Sequence, residues 1–501
     1  MKVFPITGSR VVVGLLLLVS IGSANDLAEP VSPDSLSGRV YNSNPTPSRT
    51  PSVPFVDTDT TTYPKKFWMG HKQQLSHPVR SIYPRITAQD SILCVTYSSR
   101  EAVTKAGTWW VYRVLSFDYG LTWSEPRAIE NTGDFNAGDL FPLIEGDTIL
   151  LSFSRQVEGI ETTYQQVVAK ESLKDAALTT PVVLQQSTAN LHHSQLVRHQ
   201  DTTWLFYVFS DWDYNHLASC RSTDNGQTWD TLNFSGPSIG WPMSFQRAND
   251  HISWVGEEGV ESYCRLLNPD GVTWTDRVLI SETPANTASQ WPNACSNGLS
   301  DLHAGWFDFD GAEGGWYGYI FYTHSYDGGE SWGPIWSLSP TDDCEHSAFW
   351  ADSQRVYAVW NDCRENGSPD FALYLRYSHD RGMSWSPEIE VVDKIDPARE
   401  PDLYGQGDLV YLVWNEQHPP DWIWGIYFQV GGWYIPGDVN RSEDLTVSDL
   451  TFLVSYLFRG GAAPVLLGAA EMNGSAPINI ADLTYFVDYL FRGGAEPVGA
   501  Q

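Results

Sequence analysis

Apolar residues fall in short runs along most of this 501-residue chain. Trp110, Tyr112 and Val114 recur at every second position, the period of a strand with one face buried. Mostly apolar runs recur as well. Residues 92–97, 149–153, 204–208, 356–360 and 410–414 read as one strand repeated, often ending in an aromatic followed by polar residues. Each unit reads as four strands: an apolar first strand, this second strand, a third leading into a polar turn, and a fourth after it. The turn has its own phrase, Ser-x-Asp-x-Gly-x-Thr/Ser-Trp. It appears whole around Asp118, Asp224, Asp327 and Asp380, and worn at Gly271-Val272-Thr273-Trp274, where Leu267 and Pro269 replace Ser and Asp.

Each residue type in the phrase has a physical task. The Asp carboxylate accepts hydrogen bonds from the N–H groups of its own turn. Gly supplies a positive φ that a Cβ would oppose, the hydroxyl closes the turn, and Trp anchors it. The phrase resembles the Asp box, or BNR repeat, of sialidase-like β-propellers, where it is a structural turn far from the ligand. Asp118, Asp224, Asp327 and Asp380 are therefore expected to be structural.

Asp327 and Asp380 stand 53 residues apart, one unit, and Asp118 and Asp224 stand 106 apart, two units, so the unit between them (132–187) has lost its phrase. A period of this size with four short strands predicts an all-β propeller. The count allows six or seven blades and favours seven. The last unit, 397–436, runs out near its third strand, and the segment from Phe67-Trp68-Met69 to Leu75 resembles a post-turn strand. An open ring would expose two edges, so this N-terminal strand is expected to complete the last blade.

The flanks read differently. Lys2 and Arg10, the apolar run from Val11 to Ile21, and Gly22-Ser23-Ala24 read as an export signal over residues 1–24. A signal anchor is the alternative; the run is short for a membrane span, and none is expected after cleavage. Residues 25–61, rich in Pro, Ser, Thr and Asp, read as a flexible linker, and the propeller as 62–436. A secreted or cell-surface protein is implied. The formal charge of −31 argues against nucleic acid and anionic membrane surfaces as partners. The six cysteines show no metal spacing; Cys344 and Cys363 could meet at one rim as a disulfide.

From Gly437 the composition changes. A loop from Asp438 to Asp449 precedes an amphipathic run ending in Arg459-Gly460-Gly461, and 33 residues later the module repeats from Glu471 to Arg492-Gly493-Gly494. The Gly pairs read as helix stops. This α-helical pair of loop–helix repeats (437–501) resembles a type I dockerin. That resemblance implies calcium held by Asp438, Asn440, Ser442, Thr446 and Asp449, and by Glu471, Asn473, Ser475, Asn479 and Asp482. It also implies a cohesin-like or cell-surface protein partner. Glu443 stands where Gly is usual, and Pro477 lies inside the second loop.

With the phrase marking one rim, ligands belong on the other, where strand two ends and strand one begins. That rim carries Arg100 and Glu101, Arg155, Asp211 and Asp213, Glu257 and Glu258, Asp308 and Asp310, Asp362 and Arg364, and Glu416, with Trp212, Phe307, Trp360 and Trp414 nearby. Charges beside aromatic faces suit a sugar; polar loop tips are the plainer explanation. The sialidase resemblance implies three arginines on a substrate carboxylate, a Tyr nucleophile with its Glu, and an Asp acid/base. Tyr83-Pro84-Arg85-Ile86-Thr87 is similar to the first arginine motif but has Pro before Arg and Thr after Ile. Arg85 is the carboxylate candidate, Arg100 the next, and Glu101 the only nearby acid. Arg364, Arg399 and Tyr404 are further candidates. The reading is a propeller that recognises extracellular glycans or glycoproteins and is docked through its tail; the alternative is an exo-α-sialidase or related glycoside hydrolase.

Overall fold

A computed structural model describes residues 65–77, 79–100, 108–133, 140–157, 163–210, 215–232, 243–282, 287–310, 317–364, 371–392, 397–418 and 423–500. The export signal, the linker, Glu101 and Asp211 lie outside these residues, as do Trp212 and Asp213.

The described residues form seven antiparallel sheets. Six take their four strands consecutively, spanning 80–133, 141–187, 190–232, 243–279, 287–337 and 344–392. The seventh combines Ala398–Gln406, Leu409–His418 and Ile423–Tyr434 with the N-terminal strand Lys66–Met69. Gln73–Gln74 pairs further along the same strand. The chain thus closes its ring with its own beginning, as the missing fourth strand required, and seven blades is the count.

The first strands of the blades pack beside one another around the ring, and Ala398–Gln406 meets Arg80–Gln89 to complete it. Blades bury apolar faces against their neighbours. Phe206 stacks on Phe245 between blades three and four, with ring centroids 4.1 Å apart, and Cys94, Val111 and Phe153 join blades one and two. Phe307, Trp360 and Trp414, expected to stack sugars, are spent in these layers and are buried. All six cysteines are buried as thiols. The Cys344–Cys363 disulfide does not form: Cys344 lies directly opposite Asp362, so the next residue, Cys363, turns to the other face of the sheet.

The repeated turn has the same wiring in all four copies. Asp118 accepts from Thr122 N–H at 2.8 Å and Thr122 Oγ1 at 2.6 Å, and the Ser116 hydroxyl donates to it at 2.8 Å. Asp224, Asp327 and Asp380 repeat the set. The Gly must be Gly. At Gly382, φ is +86° and an added Cβ would lie 1.8 Å from Tyr322 Oη. In the worn copy Pro269 displaces the acid by one place, and Asp270 accepts from Thr273 Oγ1 at 2.6 Å instead.

The C-terminal segment carries helices α1 (Val447–Arg459) and α2 (Ile480–Arg492). Each starts on a capping box, Thr446 with Asp449 and Asn479 with Asp482, and each stops at a left-handed Gly. This segment is not held apart from the ring. Val439, Leu453, Leu466, Met472 and Phe486 share one apolar cluster with Tyr411, Phe428 and Tyr434 of blade seven and Val95 and Val114 of blade one. Lys65 bridges Asp408 at 2.9 Å and Glu443 at 3.4 Å, and the Arg441 guanidinium lies 5.5 Å from the Tyr119 ring. The segment therefore sits on the rim of the repeated turns, against the blade that closes the ring.

Candidate functional site

The opposite rim is built on a recurring irregularity. Five of the seven first strands break register at one place: between Ile82 and Arg85, His192 and Gln195, Gln290 and Asn293, Glu345 and Ser347, and Arg399 and Asp402. At each break a bulky residue is left-handed: Tyr83 (φ 55°), His193 (50°), Trp291 (54°), His346 (32°) and Glu400 (52°). A β-bulge re-aims a side chain, and a non-glycine residue in this region is strained. Pro or Ser follows each one; Pro is tolerated because the bulge has already interrupted the ladder. That doublet, Tyr83-Pro84, His193-Ser194, Trp291-Pro292, His346-Ser347 and Glu400-Pro401, was the sequence signal that strand counting passed over.

Blades five, six, seven and one bring these positions together. Trp291 is 37% exposed, and the His346 ring meets it edge-on at 3.8 Å. Glu345 has Arg399 Nη1 at 3.7 Å, His346 Nδ1 at 3.7 Å and Asn361 Nδ2 at 3.3 Å. Glu400 accepts from Tyr83 N–H at 3.2 Å, and Asp402 from Ile86 N–H at 2.9 Å. The two glutamates are driven apart. Burial would raise Glu345, but Arg399 and His346 overcome it and hold the carboxyl down to about 2. At Glu400 burial wins over His346, Tyr83 N–H, Arg399 and Arg85, and its pKa is raised. Asp402 is likewise raised by burial, against Arg85.

Arg85 thus lies among the carboxylates of Glu400 and Asp402. Arg399 acts on Glu345 and Glu400 and stacks on Phe371 at 4.3 Å. Arg364 stands elsewhere, held by Asp362 and Glu388 over Tyr374. Arg100 reaches Trp109 rather than Arg85. Tyr404 is a packing residue of the apolar cluster between blades seven and one.

Most other rim charges are satisfied by partners in their own or the adjacent blade. Arg155 pairs with Glu130 at 3.3 Å and Gln165 at 2.9 Å. Asp308 accepts from the Trp306 indole at 3.0 Å. Glu416 is fully buried, accepting from the Trp414 indole at 2.7 Å and pairing with Lys72 at 2.5 Å and His418 at 2.9 Å. Glu257 differs: burial alone pushes its carboxyl up to about 8.

In the first C-terminal loop, Asp438 accepts from Ser442 and Glu443 N–H. Burial, and next to it the Asp449 charge, raise its pKa. Asn440 Oδ1 is buried without a hydrogen-bond partner, while its Nδ2 donates to the Ser448 hydroxyl. In the second loop, Asn473 N–H donates to Asp482 at 3.3 Å, Ser475 N–H to Asn473 at 2.8 Å, and burial followed by the Asp482 charge raises Glu471. Among the described residues no three His, Cys, Asp or Glu side chains group closely enough to hold a metal ion, so any cation there would lean on amide, hydroxyl and backbone oxygens.

No protein-family profile matches the chain, and no curated protein matches its sequence. Solved structures do. A Hadza microbial sialidase aligns with 16% identity and a TM-score of 0.42, over 70% of this chain and 65% of its own. A mutant of the NanB sialidase from Streptococcus pneumoniae gives 11% and 0.42, over 71% of each chain. A Trypanosoma rangeli sialidase gives 11% and 0.41, over 70% and 54%. The chain spans less than two thirds of the first of these enzymes and about half of the last. The chemistry of the mouth is therefore read from its own residues.

Proposed function

We propose that this is a secreted, sialidase-like propeller that recognises extracellular glycans or glycoproteins at the channel mouth and is attached to a larger assembly by its C-terminal segment. The observation that carries the reading is the set of five left-handed bulge residues. Four of them, Tyr83, Trp291, His346 and Glu400, come together on adjoining blades of this rim at a conformational cost. Left-handed side-chain-bearing residues also occur in the repeated turns, at Tyr119, Asn225 and Arg381, so what supports a site at the mouth is their coincidence there with a register break and an exposed indole. An exposed indole beside hydrogen-bonding carboxylates is suited to a sugar face and its hydroxyls. Binding of the full chain to a glycan array tests it. Trp291→Ala should lose binding at least tenfold while the unfolding temperature stays within a few degrees; retention of binding would sink the reading.

A hydrolase is the second reading, and one observation favours it. Glu345 and Glu400 share Arg399 and His346 as neighbours, yet one pKa is lowered and the other raised. Such a division is how paired carboxyls take base and acid roles in glycoside hydrolysis. Release of aryl alcohol from a panel of aryl glycosides, lost in both Glu345→Gln and Glu400→Gln, would establish it; no release by the unaltered chain across the pH range would dismiss it.

In this reading the repeated turns are Asp boxes and the tail is dockerin-like. Calcium at the first loop would use Asp438, Asn440, Ser442 and Asp449, and at the second Glu471, Asn473, Ser475 and Asp482. The unpartnered Asn440 Oδ1 supports the first. A cohesin-like partner would meet the helices where the two repeats expose equivalent apolar residues, Val447 with Ile480 and Phe458 with Phe491. An unfolding temperature that is identical with calcium and with chelator would remove calcium from the account.

A further inference from the structure

We propose that Arg80 and Arg100 together form a subsite for a single oxyanion, sulfate or carboxylate, carried on an otherwise uncharged glycan. The inference rests on the glycan reading above and names the ligand class that reading leaves open.

Arg80 opens the first strand of blade one, and Arg100 closes the second. They are directly opposed across the antiparallel pair, so both side chains leave the same face of the sheet with Cβ atoms about 5 Å apart. Like charges in that relation are destabilising. The sequence had ample means to avoid the conflict, with 61 acidic residues against 30 basic. At several other places on the propeller it does so: Arg113 and Arg127 share Glu171, Arg265 and Arg277 share Glu258, and Arg381 holds Asp301, although the Nε of Arg376 is also buried without an acceptor. Among the described residues neither Arg80 nor Arg100 has an ion pair.

The pair is also held in place. The guanidinium carbons lie 5.6 Å and 5.9 Å from the Trp109 ring, a cation–π distance for both. Trp109 is buried, packed with Ile82 and Trp424 beside Tyr83, so the two planar forks are braced rather than waving in solvent. The Nε of Arg80 is buried without an acceptor. Burial first, then Arg100, lowers the Arg80 pKa, the response of a cation lacking a counter-charge. Glu400 acts on Arg80 only as a weaker neighbour and is already occupied by Tyr83 N–H. An oxyanion between the forks would accept from both, relieve their repulsion and satisfy the buried Nε.

The rest of the molecule limits the ligand. A formal charge of −31 repels a polyanion at long range, so two local cations favour one isolated oxyanion over a densely charged chain. Arg85 and Arg399, standing among carboxylates, are poor receivers for it. The anion locus is therefore assigned to the outer edge of the mouth and not to Arg85.

The experiment uses the full chain on an array of matched oligosaccharides that are neutral, monosulfated, uronate-terminated or sialic-acid-terminated. The sulfate and carboxylate arms identify which oxyanion is used. At least one oxyanion-bearing form should bind tenfold or more tightly than its neutral match. Arg80→Gln and Arg100→Gln should each abolish that preference, Arg100→Lys should restore part of it, and Arg441→Gln on the far rim, the same charge change, should leave it intact. Equal binding of neutral and anionic forms would overturn the subsite while leaving glycan recognition standing. So would a preference lost in Arg85→Gln but kept in the Arg80 and Arg100 variants. A folded chain that binds none of the four classes would sink the glycan reading itself.

Discussion

Blade six shows both rims of the ring within one sheet. At one end Asp380 accepts from the Ser378 hydroxyl and from the Ser384 N–H and hydroxyl, and Gly382 takes the left-handed turn that no side chain could share. At the other end His346 takes a left-handed turn with its imidazole in place, Nδ1 facing Glu345 at 3.7 Å and Nε2 buried without a hydrogen-bond partner. The first end closes its polar groups on themselves, and of its two left-handed residues, Arg381 and Gly382, the second has no room for a Cβ. The second sets its left-handed residue at a break in the strand register, with partners from other blades. The contrast teaches that the turn rim closes its polar groups within one short stretch of chain, whereas the mouth assembles its contacts from several blades.

The largest expected effect comes from forcing a side chain into the turn rim. Gly382→Ala would drive a Cβ into Tyr322 Oη and strain φ; a loss of about 3 kcal/mol is expected in denaturant unfolding, with the binding proposed for the mouth unchanged in the folded fraction. A neutral result would remove the claim that these turns are closed by sterics. Next is Glu257, whose folded pKa of about 8 stands above its unfolded value. A raised carboxyl leaves stability intact at low pH, loses it as pH rises from roughly 4.5 to 8, and holds that loss above. Glu257→Gln should therefore be silent near pH 4 and stabilising by on the order of a few kcal/mol at pH 9. Thermal unfolding at the two pH values decides it.

Asp118→Ala removes an acceptor of three hydrogen bonds and should cost about 1–2 kcal/mol without touching ligand binding. Its pH signature has the opposite sign to Glu257. At Asp224 the Thr228 hydroxyl and N–H hold the carboxyl down to about 2, so its contribution is present above pH ~4 and fades as pH falls through 2. Asp224→Asn should flatten that part of the acid unfolding profile. The smallest effect is expected in the first C-terminal loop. Glu443 sits at φ +66°, where Gly is easier by about 1 kcal/mol. Glu443→Gly should raise stability by slightly less than that, because the 3.4 Å contact with Lys65 is lost.

The turn rim was legible because its chemistry is local. Ser, Asp, Gly and Thr bond within seven residues, so spacing alone places each turn, and spacing between turns counts the blades. The closure by 66–69 was legible for the same reason: one strand was missing and one was spare. The mouth was not, because its partners come from different blades. Nothing near Glu345 in the chain announces Arg399, and nothing near Arg80 announces Trp109. The polar residues ending each second strand drew attention to Arg155, Asp308, Asp362 and Glu416, yet these serve neighbouring indoles, amides and arginines. The bulged doublets carried the better signal, but their meaning depends on a register shift that only paired strands reveal. The helical segment was legible as a repeat; its seat on blades one and seven was not, since amphipathic periodicity shows that a face is covered and not by what.

The ring closed by its own first strand also sets a timetable. Lys66–Met69 leaves the ribosome early, and its partner Ile423–Tyr434 follows about 350 residues later. At ~5–20 residues per second, elongation alone keeps that strand waiting roughly 20–70 s. Throughout the interval a segment containing Phe67, Trp68 and Met69 has no native mate, so biogenesis favours a holdase-type chaperone that shields it until the last blade is made.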